Sequence, residues 1–279
     1  MPGYLSCGEI PAVELTGTTA SGNEKDFSGS DVVSQWYRYG VSGNSDQVVV
    51  THTFMYNSKQ LRNYTILYDR TKKAALWAAY PMHSTAYPWN VSRADSWQYD
   101  PAIEQSWQPK LSSSYSGGYT RGHQVASNDR RTTTYQMYQT NYFSNMTPQT
   151  SEFNAGSSTD WDELEGNIQK LGKSITGRDT LYVVTGAIFG SGYKTDAKDN
   201  NNVACPVPTD YYKCILKVSF NTSGEPVSAT GAAFLVNHDT MTQQNKTINQ
   251  MESLTGFTFF ANLPSSVTSS AKNTFTSFF

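Results

Sequence analysis

The chain has 279 residues and a formal net charge of −2, room for one large sheet-rich domain or for one domain with a small appendage. Hydrophobic residues make up 37% and aromatics 13%; this excludes intrinsic disorder for most of the chain, and the small net charge excludes a uniformly basic coat for polyanions. Charged residues are only 16%, against roughly 25% in an average soluble protein, and Ser, Thr and Asn fill the surface as they do in exported proteins. No apolar run approaches the ~20 residues of a membrane span. Met1 to Gly8 lack the apolar core of a signal peptide. The expectation is a secreted or periplasmic protein without a membrane span, its export signal absent from this chain.

In chain order, residues 1–45 are rich in Gly, Ser and Thr and read mostly as a partly flexible linker, with one strand near Val32–Tyr39. Residues 46–279 read as the folded domain. Runs of β-branched and aromatic residues at Val48–Phe54, Tyr64–Tyr68 and Ala75–Tyr80 predict strands, with a turn at Arg70–Lys73. Residues 81–118 combine four prolines and a Gly pair with aromatics, which predicts an ordered irregular loop whose rings pack it down. Thr159–Gly172 predicts a helix. Thr159 caps it, Asp162 completes the capping box, Trp161, Leu164, Ile168 and Leu171 form an apolar stripe, and Gly172 ends it. Leu181–Phe189, Tyr211–Phe220 and Val227–Val236 read as further strands and Asn249–Leu254 as a short helix. Such an order predicts an α+β fold with a mainly antiparallel sheet.

Charge is unevenly placed. Between Lys59 and Arg131 ten basic residues face five acidic ones, and the remainder of the chain carries −7. Of three cysteines, Cys205 and Cys214 are the favoured disulfide couple and Cys7 the spare thiol, while none has a His or Cys at zinc-ligand spacing.

Within the basic window lies Tyr119-Thr120-Arg121-Gly122-His123-Gln124. It is followed by Asn145-Met146-Thr147-Pro148-Gln149, Asn154-Ala155-Gly156, and the helix with Trp161, Leu164 and Glu165. This ordered set resembles the DNA/RNA non-specific endonucleases of the ββα-metal (His-Me finger) superfamily, whose signature is Asp-Arg-Gly-His, Asn-x-x-Pro-Gln, Asn-x-Gly and a helix with Trp and Leu-Glu. Arg62-Asn63-Tyr64, Trp77–Tyr80, Asp100–Ile103, Val207-Pro208-Thr209 with Tyr212-Lys213, and Glu252–Gly256 extend the likeness over about residues 48–265.

The resemblance implies a ββα-metal nuclease fold: a central antiparallel sheet flanked by helices and long loops. It implies hydrolysis of DNA and RNA to 5′-phosphorylated products, with no obligate protein partner. His123 becomes the general base, Asn154 the sole direct protein ligand of Mg²⁺ (Mn²⁺ being a possible substitute), and Glu165 a contact to metal-bound water. Arg93 and Arg121 become phosphate contacts. His52, His83 and His238 are read as packed or surface residues. Three departures stand out: Thr120 replaces the family Asp, Gln169 stands where some members carry a basic residue, and Ser157–Thr159 lengthens the interval between Asn154 and Glu165. Thr120 raises an alternative, a catalytically weakened nucleic-acid-binding domain of the same fold.

Overall fold

A computed structural model describes residues 13–279 except Phe27 and residues 157–159. Cys7, the Thr159 cap and the bulge expected at residues 157–159 therefore lie outside the described residues. In chain order the strands are β1 (Leu15–Lys25), β2 (Val32–Val41), β3 (Asn44–Tyr56), β4 (Lys59–Asp69), β5 (Ala74–Met82), β6 (Tyr119–His123), β7 (Met146–Thr150), β8 (Asp179–Ile188), β9 (Ala197–Lys198), β10 (Ala204–Cys205), β11 (Asp210–Phe220), β12 (Pro226–Asn237) and β13 (Gln243–Lys246). The helices are α1 (Thr134–Gln139), α2 (Ser151–Ala155), α3 (Asp160–Ser174), α4 (Ile248–Thr255) and α5 (Ser265–Asn273).

Nine strands form one sheet in the order β1-β2-β3-β4-β5-β8-β11-β12-β13, and every neighbouring pair is antiparallel. The α+β expectation holds. Alternation along β11 shows why its sequence reads as continuously apolar. Tyr211 and Ile215 face a core with Trp161, Leu164 and Ile168 of α3, whereas Tyr212, Cys214, Leu216 and Val218 face a second core with Ile248, Met251 and Ala271 of α4 and α5. With both faces covered, the pleat selects hydrophobic residues at nearly every position. Trp161 is fully buried and stacks on Phe153 at 5.5 Å, an anchor whose truncation to Ala costs roughly 3–5 kcal/mol.

Three expectations are corrected. The stretch read as mostly linker carries β1 and β2, which extend the sheet, and Glu24 of β1 is completely buried. Helix α3 runs through Gly172 to Ser174; at Gly172 a Cβ would stand 2.3 Å from the Met82 side chain, so close packing rather than termination accounts for that glycine. Cys205 and Cys214 are free thiols. Cys214 points into the α4/α5 core, whereas Cys205 packs with Leu111, Tyr115 and Phe143 in another cluster. Cys214 lies on β11 of the nine-stranded sheet and Cys205 on β10 of a separate two-stranded sheet, so the two sulfurs enter different hydrophobic layers.

Candidate active site

Strands β6 and β7 form a separate two-stranded ribbon, pairing Arg121 with Pro148, Gly122 with Thr147 and His123 with Met146. Two motifs about 25 residues apart in the chain are thus one hairpin-like unit. Gly122 is required by contact: a Cβ there would lie 2.1 Å from Gln149 Cδ, because the buried Gln149 side chain crosses directly over it. From β7 the chain turns into α2, where the Thr150 hydroxyl caps the first turn by accepting from Phe153 N. Asn154 sits on that turn, and α3 brings up Glu165.

His123, Arg121, Arg93, Asn154 and Glu165 all line one cleft of about 460 Å³, together with Thr120, Trp97, Asp162 and Gln169. The five residues singled out from the sequence are therefore neighbours around a single space.

His123 is half-buried at the end of β6, and its Nε2 lies 3.1 Å from Asn141 Oδ1. Asn141 donates its own Nδ2 to Ala94 O at 3.3 Å. The oxygen of that amide therefore faces the ring, Nε2 carries the hydrogen, and Nδ1 keeps the free lone pair. Burial, followed by the positive charges of Arg93 and Arg121, outweighs the Asn141 hydrogen bond and Asp95 and pushes the imidazole down to about 4. The ring is neutral at physiological pH. Asn141 was not singled out from sequence; no local pattern marks it, since its role depends on the turn after α1 meeting β6.

Arg121 stacks its guanidinium on Trp97 at 3.7 Å and donates Nη1 to Leu111 O at 3.1 Å and Ser112 O at 3.3 Å. One face and one nitrogen are thus committed to the irregular loop, and the remaining donors are left for a ligand. Arg93 is half-exposed on the same loop, with Nε 3.8 Å from Asp95 Oδ1.

Thr120 has a definite job. Its hydroxyl donates to Gln149 O at 3.1 Å, so toward Asn154 it can only accept, and it accepts Nδ2 at 3.0 Å. The amide is thereby oriented with Oδ1 away from Thr120. Glu165 is partly buried, and its Oε1 lies 3.3 Å from Lys213 Nζ without a well-formed hydrogen bond. Burial raises the Glu165 carboxyl, the Lys213 ammonium opposes that rise, and Asp129 adds to it. Lys213 is itself buried between Thr185 Oγ1 at 3.2 Å and the Trp161 ring at 4.4 Å. Its charge was legible, but not its place beneath α3. Gln169 also faces the cleft and accepts from Lys173 Nζ at 3.2 Å. Asn154 and Glu165 both line the cleft, and their amide and carboxylate oxygens are the donor types that suit a hard divalent cation that keeps most of its waters, although Glu165 Oε1 itself is turned to Lys213. Among the described residues no group of three or more His, Cys, Asp or Glu side chains forms a cluster that could hold a metal ion. The remaining histidines are structural. His238 bonds Thr150 N and Pro208 O, His83 contacts Gly177 O, and His52 is buried between two carboxylates.

The family model for DNA/RNA non-specific endonucleases matches residues 43–266. The chain belongs to that family, whose members are hydrolases acting on phosphodiester bonds. It is similar to a nuclease of Nostoc sp., 27% identical over 241 residues that cover 83% of each chain. It is also similar to nuclease C1 of Cunninghamella echinulata, 32% identical over 72% of this chain and 81% of that protein. A chain in a crystal structure of an EndoG/EndoGI complex shares the fold at a TM-score of 0.56 and 21% identity, over 76% of this chain and 86% of that one. Among the described residues no helix is long and apolar enough to cross a membrane.

Proposed function

We propose that this protein is a divalent-metal-dependent endonuclease that cuts both DNA and RNA, with His123 as general base, and leaves 5′-phosphorylated ends. The observation that carries this reading is the convergence of a neutral imidazole, two guanidinium groups, an oriented amide oxygen and a half-buried carboxylate on one cleft.

The Nδ1 lone pair of His123 takes a proton from the attacking water, and Nε2–H stays on Asn141 so that the ring holds one orientation. Arg121, held in place by Trp97 and two carbonyls, supplies its remaining N–H groups to the non-bridging phosphate oxygens, and Arg93 binds a phosphate from the rim. Asn154 Oδ1 would hold Mg²⁺, or Mn²⁺ in its place, and Glu165 would accept hydrogen bonds from its waters. The cation, when bound, neutralises charge developing on the phosphate and on the leaving oxygen. Contacts to phosphate carry no base identity, which fits broad substrate use. The low share of charged residues supports export.

Supercoiled plasmid and total RNA are incubated with the protein in Mg²⁺ and in EDTA, with His123→Ala and Asn154→Ala alongside. Metal-dependent degradation that both substitutions abolish is expected. Intact nucleic acid across Mg²⁺, Mn²⁺ and pH, with binding that weakens steeply in salt, would instead favour the binding-domain reading that Thr120 raised.

A further inference from the structure

Glu24 lies on β1, outside the residues matched by the family model, yet its carboxylate has no solvent exposure. Its Oε1 accepts from His52 Nδ1. Its Oε2 accepts from Tyr135 OH at 2.9 Å, Gln139 Nε2 at 2.6 Å and Tyr142 OH at 2.9 Å. Three of the four donors thus come from one segment, α1 and the turn that follows it. Between Gln139 and Tyr142 in that segment stands Asn141, which bonds His123 on one side and, through Ala94 O, the Arg93–Asp95 loop on the other. His52 is in turn fixed by Asp100 Oδ2 at 2.9 Å, an oxygen that also accepts from Ser144 Oγ at 2.6 Å.

We propose that Glu24 is a positioning residue for phosphodiester cleavage: through Tyr135, Gln139 and Tyr142 it holds the Asn141 turn that orients His123. The inference rests on the nuclease reading above. A carboxylate taken fully out of water is held only where its hydrogen bonds are complete, so the N-terminal strand is locked to the segment and the segment to the strand. Displacing the 135–142 segment by even a few tenths of an ångström changes the Asn141–His123 contact, because Asn141 lies within that segment and its side chain bridges His123 Nε2 and Ala94 O. Catalytic geometry is sensitive on that scale.

Kinetics of plasmid cleavage in Mg²⁺ are measured on the full chain for the parent, Glu24→Ala, Glu24→Gln, Asn141→Ala and the Glu24→Ala/Asn141→Ala pair, each well below its own unfolding temperature. Glu24→Ala is expected to lower kcat at least tenfold with KM within twofold. Glu24→Gln is expected to restore most of it, since one amide oxygen still accepts from the 135–142 donors and the amide nitrogen can donate to a neutral His52. The double variant should be no slower than the slower single, as a shared path requires. Met251→Ala, in the opposite core, loses comparable stability and is expected to keep the parental kcat.

A folded Glu24→Ala with kcat within twofold of the parent, or losses that multiply in the double variant, would overturn the inference. Should Glu24→Ala fail to fold, Tyr135→Phe and Tyr142→Phe each remove one donor and keep the ring. Unchanged kcat in both would then overturn it, and losses not multiplying with Asn141→Ala would uphold it. A parent that leaves plasmid and RNA intact would sink the nuclease reading instead, which separates the two failures.

Discussion

Replacing Asn141 by Asp tests the site's acid–base logic most sharply. The His123 imidazole sits at about 4 rather than 6.5, so the folded environment resists its protonation by about 3 kcal/mol. At pH 5 a base of that strength is about 90% in its active form, whereas an ordinary imidazole would be only about 3% active. Asp in place of Asn141 sets a carboxylate about 3 Å from Nε2, and an opposite charge at that range raises a pKa by roughly 1–3 units. The acid limb of the rate should therefore climb to between about pH 5 and 7. Plasmid cleavage from pH 4.5 to 8 is the assay. The parent should be nearly flat down to about pH 5, and Asn141→Asp should lose about tenfold between pH 8 and 5. Asn141→Ala should be slower throughout, with no upward shift. Stability moves in the same window with a defined sign: because the folded pKa is depressed, the unfolded chain takes up the proton first as pH falls from 6.5 toward 4, and the native state weakens. The assay temperature must stay far below the unfolding midpoint at the lowest pH. A parental limb near 6.5, or one that Asn141→Asp leaves in place, would refute the reasoning.

Thr120→Val keeps the shape but removes the hydroxyl that orients Asn154; losing about 1 kcal/mol of hydrogen bonding should raise the half-saturating Mg²⁺ about fivefold in plasmid cleavage. Thr120→Asp, which restores the family carboxylate and still accepts from Asn154 Nδ2, should lower it, and an unchanged Mg²⁺ titration in both would mean that Thr120 does not act through Asn154. Two carboxylates raise the His52 imidazole to about 10 against the burial that lowers it. That contribution to stability is fully present below pH 6.5 and lost as pH rises through 10, so the thermal midpoint should fall across that interval and His52→Gln should flatten the fall. Gly122→Ala drives a methyl group into Gln149, which sits within a buried layer. Loss of about 3 kcal/mol, the upper end of the usual cost of overpacking, is expected in denaturant unfolding, with activity lost in parallel.

Local chemistry makes much of this protein readable from its sequence. Strands β3, β4, β5, β8, β11 and β12 follow from β-branched and aromatic runs, and α3 from a 3.6-residue apolar stripe, because burial of one face or two imposes a period on the sequence itself. The residues around the cleft were readable for a different reason: Arg121-Gly122-His123, Asn145–Gln149, Asn154-Ala155-Gly156 and the helix with Trp161 and Glu165 occur in the order that the family's motifs have.

Long-range placement decided the remainder. Strand β1 escaped notice because an exposed edge strand needs little apolar character; its existence depends on pairing with β2 and on burying Glu24 against residues more than a hundred positions away. Cys205 and Cys214, close in sequence, are carried into different hydrophobic layers because β10 pairs with β9 while β11 joins the main sheet. Gly172 looked like a helix end until Met82 packed on it. Asn141 and Lys213 reached the site only because a turn and a strand arrive from elsewhere in the chain. Which groups fill the space around a residue, and therefore whether an amide turns its oxygen outward or an imidazole stays neutral, is set by neighbours the sequence does not place beside it; the tertiary structure alone supplied them.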